Sequence, residues 1–155
     1  MKIQIKPLLF SILIPLFLGS FVGFLTAPFN NYYEISLPSF APPGILFPIV
    51  WTILYILMGI SSYLIIISCD NDKNDALFIY GTQLLINLLW SFIFFVFRFY
   101  LLSFIWILLL IWFVVIMIKS FYNISKISAY LQILYLLWLI FAAFLNLAVY
   151  LINLF

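Results

Sequence analysis

PSFAPPGILFPIVWTILYILMG, residues 38–59, carries four prolines, two glycines, a Trp, a Tyr and a Met in a run without one charge. From Ile45 onward it is apolar for long enough to cross a bilayer, which takes about 20 residues at a ~1.5 Å rise. An ordinary lipid-facing helix needs no such cluster of prolines. Pro42-Pro43-Gly44 therefore reads as a shaped start for a helix over 43–68, because proline suits a first turn whose N–H groups lack partners. Trp51, Tyr55 and Met58 follow at i, i+4 and i+7, and so share one face.

The rest of the chain repeats the pattern. Its 155 residues are 69% hydrophobic and 6% charged, more apolar surface than a soluble domain of this size can bury. Long uncharged runs, Leu8–Tyr33, Ile35–Cys69, Ala76–Phe97, Phe99–Ile118 and Ile127–Phe155, lie between short charged clusters. These predict an all-α membrane protein, a bundle of five transmembrane helices at about 8–27, 43–68, 76–97, 100–121 and 127–153, in one domain. The runs are apolar on every face, unlike the alternating strands of a membrane β-barrel. Leu8–Leu25 is long for a signal-peptide core and lacks a small-x-small cleavage site, so it is read as a retained span. The single Cys69 excludes an internal disulfide. Six basic and four acidic residues leave +2, too little for a nucleic-acid surface.

With five spans the termini lie on opposite sides. Lys2, Lys6, Lys73, Lys119 and Lys126 then share one side and Arg98 the other, which predicts a cytoplasmic N-terminus, an external C-terminus and an external loop over 28–42. A bacterial plasma membrane is the expected location. That loop is long for a connection between packed helices, as lids and binding elements often are. Pro15 predicts a kink in the first helix, and Gly19-Ser-Phe-Val-Gly23 permits close helix contact, either inside the bundle or in a homodimer. Asp75 is the expected N-cap of the third helix.

The chain contains no His, and its predicted spans contain no Asp or Glu. Proton relays, carboxylate pairs, Ser-His-Asp arrangements and zinc sites therefore have no basis, and no metal or required cofactor is expected. What remains is amide, indole and phenol. Gln83, Asn87 and Trp90 share a face of the third helix, and Tyr135, Trp138, Ala142, Asn146 and Val149 share one of the fifth. Polar groups avoid lipid, so these stripes and the Trp51 stripe should meet inside the bundle. Asn87 and Asn146 there either bond helix to helix or face a ligand. Trp51 and Trp138 fall on the same faces as the amides and either line a ligand pocket or pack, whereas Trp106 and Trp112 are given no site role.

At these residues the chain resembles the translocator protein family, the TspO/MBR or tryptophan-rich sensory proteins. Four blocks carry the likeness in order: GSFVGF, the opening stretch, INLLWSFIFFVFR and YLLWLIFAAFLN. The resemblance implies a five-helix bundle, often dimeric, holding a hydrophobic ligand under its first loop. Porphyrins, benzodiazepine-type drugs and sterols are the ligands it suggests. By motif position, Trp51, Asn87, Trp90, Trp138, Ala142 and Asn146 would line the pocket, with Tyr32, Pro42 and Pro43 shaping its lid. Three positions depart from the pattern: Asn31 stands for a Trp, Leu37 for a Lys, and Trp106 for an acidic residue. Arg98 is then the group left to meet a ligand carboxylate. Tyr150 is followed by Leu-Ile-Asn-Leu-Phe without the basic residue of a cholesterol motif, so no sterol specificity is expected.

The leading expectation is a membrane receptor or binding protein for a flat hydrophobic ligand, most of all a porphyrin, because stacking on Trp needs no titratable group. The lack of His favours a metal-free ring over haem. The alternative is a membrane enzyme that degrades porphyrin by photo-oxidation at Trp51 and Trp138. A third is passage of ligand through the bundle.

Overall fold

The computed structural model describes residues 3–154, and its regular elements are all helical. Lys2 and Phe155, which enter the sequence reading, lie outside the described residues. Helix α1 spans Ile5–Thr26 and runs into a 3-10 turn at Ala27–Phe29. Helices α2 (Leu46–Ile66) and α3 (Lys73–Ser91) follow, and α3 continues as a π turn over Phe92–Val96. Then come α4 (Tyr100–Ile124), α5 (Lys126–Leu131) and α6 (Ile133–Ile152). Among the described residues these make five stretches long and apolar enough to cross a membrane, and the protein is an integral membrane protein.

Of the boundaries that differ from the sequence reading, three change the part a residue plays. Helix α2 opens at Leu46, not at 43, and Pro42-Pro43 stay outside it. A turn precedes it, with the Leu46 N–H donating to Pro43 O at 2.9 Å and the Phe47 N–H to Gly44 O at 3.3 Å. Pro48 is the proline inside the first turn, where its missing N–H leaves no orphan. Helix α3 opens at Lys73, so Asp75 is not the cap but a first-turn residue, its charge suited to the positive helix end. The fifth span is two helices, interrupted at Gln132, whose N–H turns back to Ala129 O at 3.0 Å.

Around the bundle the order is α1, α2, the fifth span, α4, α3 and back to α1. Close backbone approach ties α1 to α2. Pro15 is buried and has no N–H, which leaves the Ser11 carbonyl four residues earlier without its helical donor. Gly59 lies against that carbonyl, where a Cβ would stand 2.7 Å from the oxygen and would also strike the Ile12 backbone. About one turn earlier in α2, the Tyr55 ring fills the space a Gly19 side chain would need. The first glycine of the α1 pair is thus consumed inside the bundle. At Gly23 nothing lies within 4 Å of the missing Cβ, because the two helices have parted.

A second clasp holds the fifth span. The Ser61 hydroxyl donates to Ser128 O at 2.8 Å, and the Ser128 hydroxyl donates to Ser61 O at 2.7 Å. These two small residues let α5 approach α2 closely, the way polar small residues join helices in lipid. It is α5 rather than α6 that packs against α2. The tightest core, with Met58, Ile65, Val114, Met117 and Phe121 all fully buried, therefore sits at the end away from the 30–45 loop.

Candidate functional site: a cavity beneath the first loop

Under that loop lies a cavity of about 660 Å³. This is within the ~300–1,000 Å³ typical of small-molecule sites. Helix α1 supplies Gly19, Ser20 and Gly23; α2 supplies Phe47, Pro48, Trp51, Thr52 and Tyr55. Helix α3 and its π turn supply Asn87, Trp90, Ser91, Phe94 and Phe95, α6 supplies Ala142, Leu145, Asn146 and Val149, and the loop supplies Tyr32 and Tyr33. Every lining side chain is uncharged.

The floor is a hydrogen-bond chain running across three helices. The Tyr55 hydroxyl donates to Asn87 Oδ1 at 3.0 Å, Asn87 Nδ2 donates to the Tyr135 hydroxyl at 2.9 Å, and that hydroxyl donates to Gln83 Oε1 at 3.0 Å. The three sequence stripes meet in this chain. Trp51 lies over it, its ring centroid 5.5 Å from Tyr55 and 6.2 Å from Tyr135.

The α3–α6 wall is built on Asn146. Its Oδ1 accepts from Trp90 Nε1 at 3.3 Å, while its Nδ2 donates to Tyr100 O at 3.1 Å and to the Ser103 hydroxyl at 3.0 Å. Trp90 in turn stacks on Phe94, with centroids 5.1 Å apart and planes 25° apart. The π turn sets this pairing: the Phe97 N–H reaches back five residues to Phe92 O at 2.9 Å, and the widened turn brings Phe94 and Phe95 both to the cavity. Such turns recur at functional sites.

The loop is tied down at four points. The Tyr32 hydroxyl donates to Pro42 O at 2.6 Å, and the Gly44 N–H donates to the Tyr33 hydroxyl at 3.0 Å. Asn153 at the end of α6 grips Ser36 through both backbone groups, at 3.1 and 2.9 Å. Asn31, buried, donates to the Tyr100 hydroxyl at 3.2 Å. Burial, with the neighbouring Tyr33 phenol, pushes the Tyr32 phenol up from its ordinary value.

Of the nine residues expected at the site, Tyr32, Trp51, Asn87, Trp90, Ala142 and Asn146 line the cavity together. Pro42 and Pro43 do not line it; Pro42 serves as the carbonyl that Tyr32 holds. Trp138 is not in its lining either. It stands behind Phe47, centroids 5.9 Å apart and edge to face, and lines an outer groove with Val50, Ile53 and Phe141. The Phe47 ring takes the wall position between Trp138 and the cavity. Arg98 is exposed, sits at the α3–α4 hinge with a left-handed backbone (φ 56°), and is not in the lining. Trp106 packs inward and donates to Ile86 O at 2.8 Å, whereas Trp112 is exposed.

Sequence reasoning missed Phe47 and Phe94 as lining residues. Both carry the same signal as their neighbours, one turn before Trp51 and one turn after Trp90. Nothing in the sequence marked Asn153.

The fold and cavity define a helical-bundle integral membrane protein with a sheltered, uncharged aromatic chamber beneath a pinned loop. The chain belongs to the TspO/MBR family, whose sequence pattern matches residues 11–151. It is 38% identical over 155 residues to the tryptophan-rich protein TspO of Archaeoglobus fulgidus, covering 97% of this chain and 99% of that one. The protein of the same name from Chlorobaculum tepidum is 35% identical over 133 residues, 84% of each chain. Protein CrtK of Rhodobacter capsulatus is 31% identical over 134 residues, covering 84% of this chain and 83% of that one.

Proposed function

We propose that the cavity is a binding site for a flat, largely apolar ring, a porphyrin first among candidates, and that the protein acts as a membrane receptor for it. The observation that carries this reading is that two aromatic pairs, Trp51 with Tyr55 and Trp90 with Phe94, line one uncharged space. Stacking contributes on the order of 1 kcal/mol per good aromatic pair beyond area burial, with no acid–base group required. Binding is favoured over oxidative breakdown because Trp51 and Trp138 do not face one space, as the paired-indole scheme requires. The charge pattern supports an orientation with the loop outside, since Lys73, Lys119 and Lys126 sit at the end opposite the loop, and the bacterial relatives support a bacterial plasma membrane.

The test is a dark titration of the protein in lipid nanodiscs with protoporphyrin, following Trp fluorescence. Saturable quenching above that of empty nanodiscs is expected, with affinity falling about fivefold or more in Trp51→Phe and unchanged in Trp112→Phe. Quenching that never saturates, or that tracks Trp112 instead, overturns the reading.

A further inference from the structure

Asn87 and Asn146 both line the cavity, but they are held in different ways. Asn146 has one orientation, because Trp90 Nε1 can only donate to it and Tyr100 O can only accept from it. Both partners of Asn87 are phenol hydroxyls, Tyr55 and Tyr135, and a hydroxyl can donate or accept. The chain they form ends at Gln83. There Oε1 takes the Tyr135 proton, while the buried Nε2 meets no partner among the described residues.

No group of fixed polarity therefore sets the direction of this chain. Turning both amides over reverses it and keeps every bond. Gln83 Nε2 then donates to the Tyr135 oxygen, Tyr135 donates to Asn87 Oδ1, and Asn87 Nδ2 donates to the Tyr55 oxygen. The two directions differ at the ends. As the chain stands, the Tyr55 proton is spent on Asn87 and the phenol has a lone pair for the cavity. Reversed, it has an O–H for the cavity. Tyr55 and Asn87 belong to the lining, whereas Tyr135 and Gln83 do not.

Resting on the ring-binding reading above, we infer that Gln83 is a positioning residue for ligand specificity: through this reversible chain it lets Tyr55 meet either an N–H or a C=O on the edge of a flat ring. Gln83 itself never touches the ligand. Its amide can accept from Tyr135 or donate to it, so the cavity floor adapts to the ring by turning two side chains without losing a bond. An apolar side chain at position 83 removes that choice. A buried hydroxyl proton without an acceptor is costly, so Tyr135 then gives its proton to Asn87, and Asn87 its N–H to Tyr55. Tyr55 turns its O–H to the cavity, where a ring C=O finds a partner and a ring N–H meets another donor.

The experiment compares carbazole, whose edge carries an N–H, with fluorenone, which has the same fused-ring outline and a C=O in that place. Each is measured by equilibrium dialysis against the protein in neutral-lipid nanodiscs and corrected for partition into empty ones. Wild type is expected to bind the two within about threefold of each other. Gln83→Met and Gln83→Leu are each expected to shift the ratio toward fluorenone at least about fivefold. In an Asn87→Leu background, where the chain is cut, the same changes are expected to leave the ratio as it is. A larger preference already in wild type, no shift on removing Gln83, or a shift that survives the cut overturns the inference and leaves the ring-binding reading standing. No saturable binding of carbazole or fluorenone also overturns the inference, and the same result with protoporphyrin overturns the ring-binding reading as well.

Discussion

At the end away from the loop, α1 and α2 meet with Gly59 against the Ser11 carbonyl, and α2 meets α5 through two serines that each hold the other's backbone. At the loop end the same helices separate: Gly23 faces empty space, α6 stands off α2, and bulky rings surround a volume of about 660 Å³. Lipid supplies little hydrophobic drive for helices to associate, so closeness has to come from small residues and interhelical hydrogen bonds. Where α1, α2 and α5 carry them facing each other, the bundle closes. Where large aromatics replace them and amides brace the walls, it stays open. The pinned loop then covers the open end.

The comparison breaks most sharply at Gly59. Gly59→Val drives a side chain into the Ile12 backbone, and a loss of at least about 3 kcal/mol is expected, read as a collapse in the fraction remaining monodisperse on heating. Removing a brace from the open end is the next largest change. Asn146→Leu strands the Trp90 Nε1–H, while the Ser103 hydroxyl keeps its bond to Tyr100 O, with an expected loss of about 1–2 kcal/mol in thermal unfolding and a Trp90 emission shift. The double change Ser61→Ala/Ser128→Ala removes both clasp bonds but leaves small residues to pack, so only about 1 kcal/mol is expected. Equal effects from the serine pair and Gly59 would mean that hydrogen bonding, not close approach, shuts that end.

The smallest effect concerns the loop. The folded state favours the neutral Tyr32 phenol, whose value is raised above 10.0, so its bond to Pro42 O holds below that pH and loosens as pH rises past it. A spin label at position 40, in a Cys69→Ser background that removes the exposed free thiol, should gain mobility above about pH 10. Tyr32→Phe should already be mobile at neutral pH and show no further change. A label whose mobility ignores both would mean that Asn153, not Tyr32, holds the lid.

The five spans were legible because uncharged runs of about 20 residues have few other uses. The meeting of the Tyr55, Asn87 and Tyr135 stripes was legible for a similar reason, since polar groups on one helix face turn away from lipid. Trp138 was not. It shares a stripe with Ala142 and Asn146, yet whether a ring lines a cavity or backs another ring depends on Phe47, a residue of a different helix. The π turn was hidden too, because a five-residue hydrogen bond leaves no spacing signature in a run of Phe. Pro42-Pro43 were placed in α2 on propensity alone, whereas the turn at Gly44 and the Tyr32 hydroxyl hold them in the loop. Asn153 and Ser36 lie 117 positions apart, beyond any local pattern.

Two glycines allow the central claim, that the open end is the ligand site, to be tested directly. Gly23 and Gly81 both have nothing within 4 Å of the missing Cβ, but Gly23 faces the cavity and Gly81 lies outside its lining on α3. Gly23→Phe and Gly81→Phe, titrated side by side with protoporphyrin, add the same ring to each kind of space. Loss of saturable binding in Gly23→Phe, with Gly81→Phe binding like wild type, is the result this account predicts. Undiminished binding in Gly23→Phe would contradict it and move the ligand elsewhere on the protein.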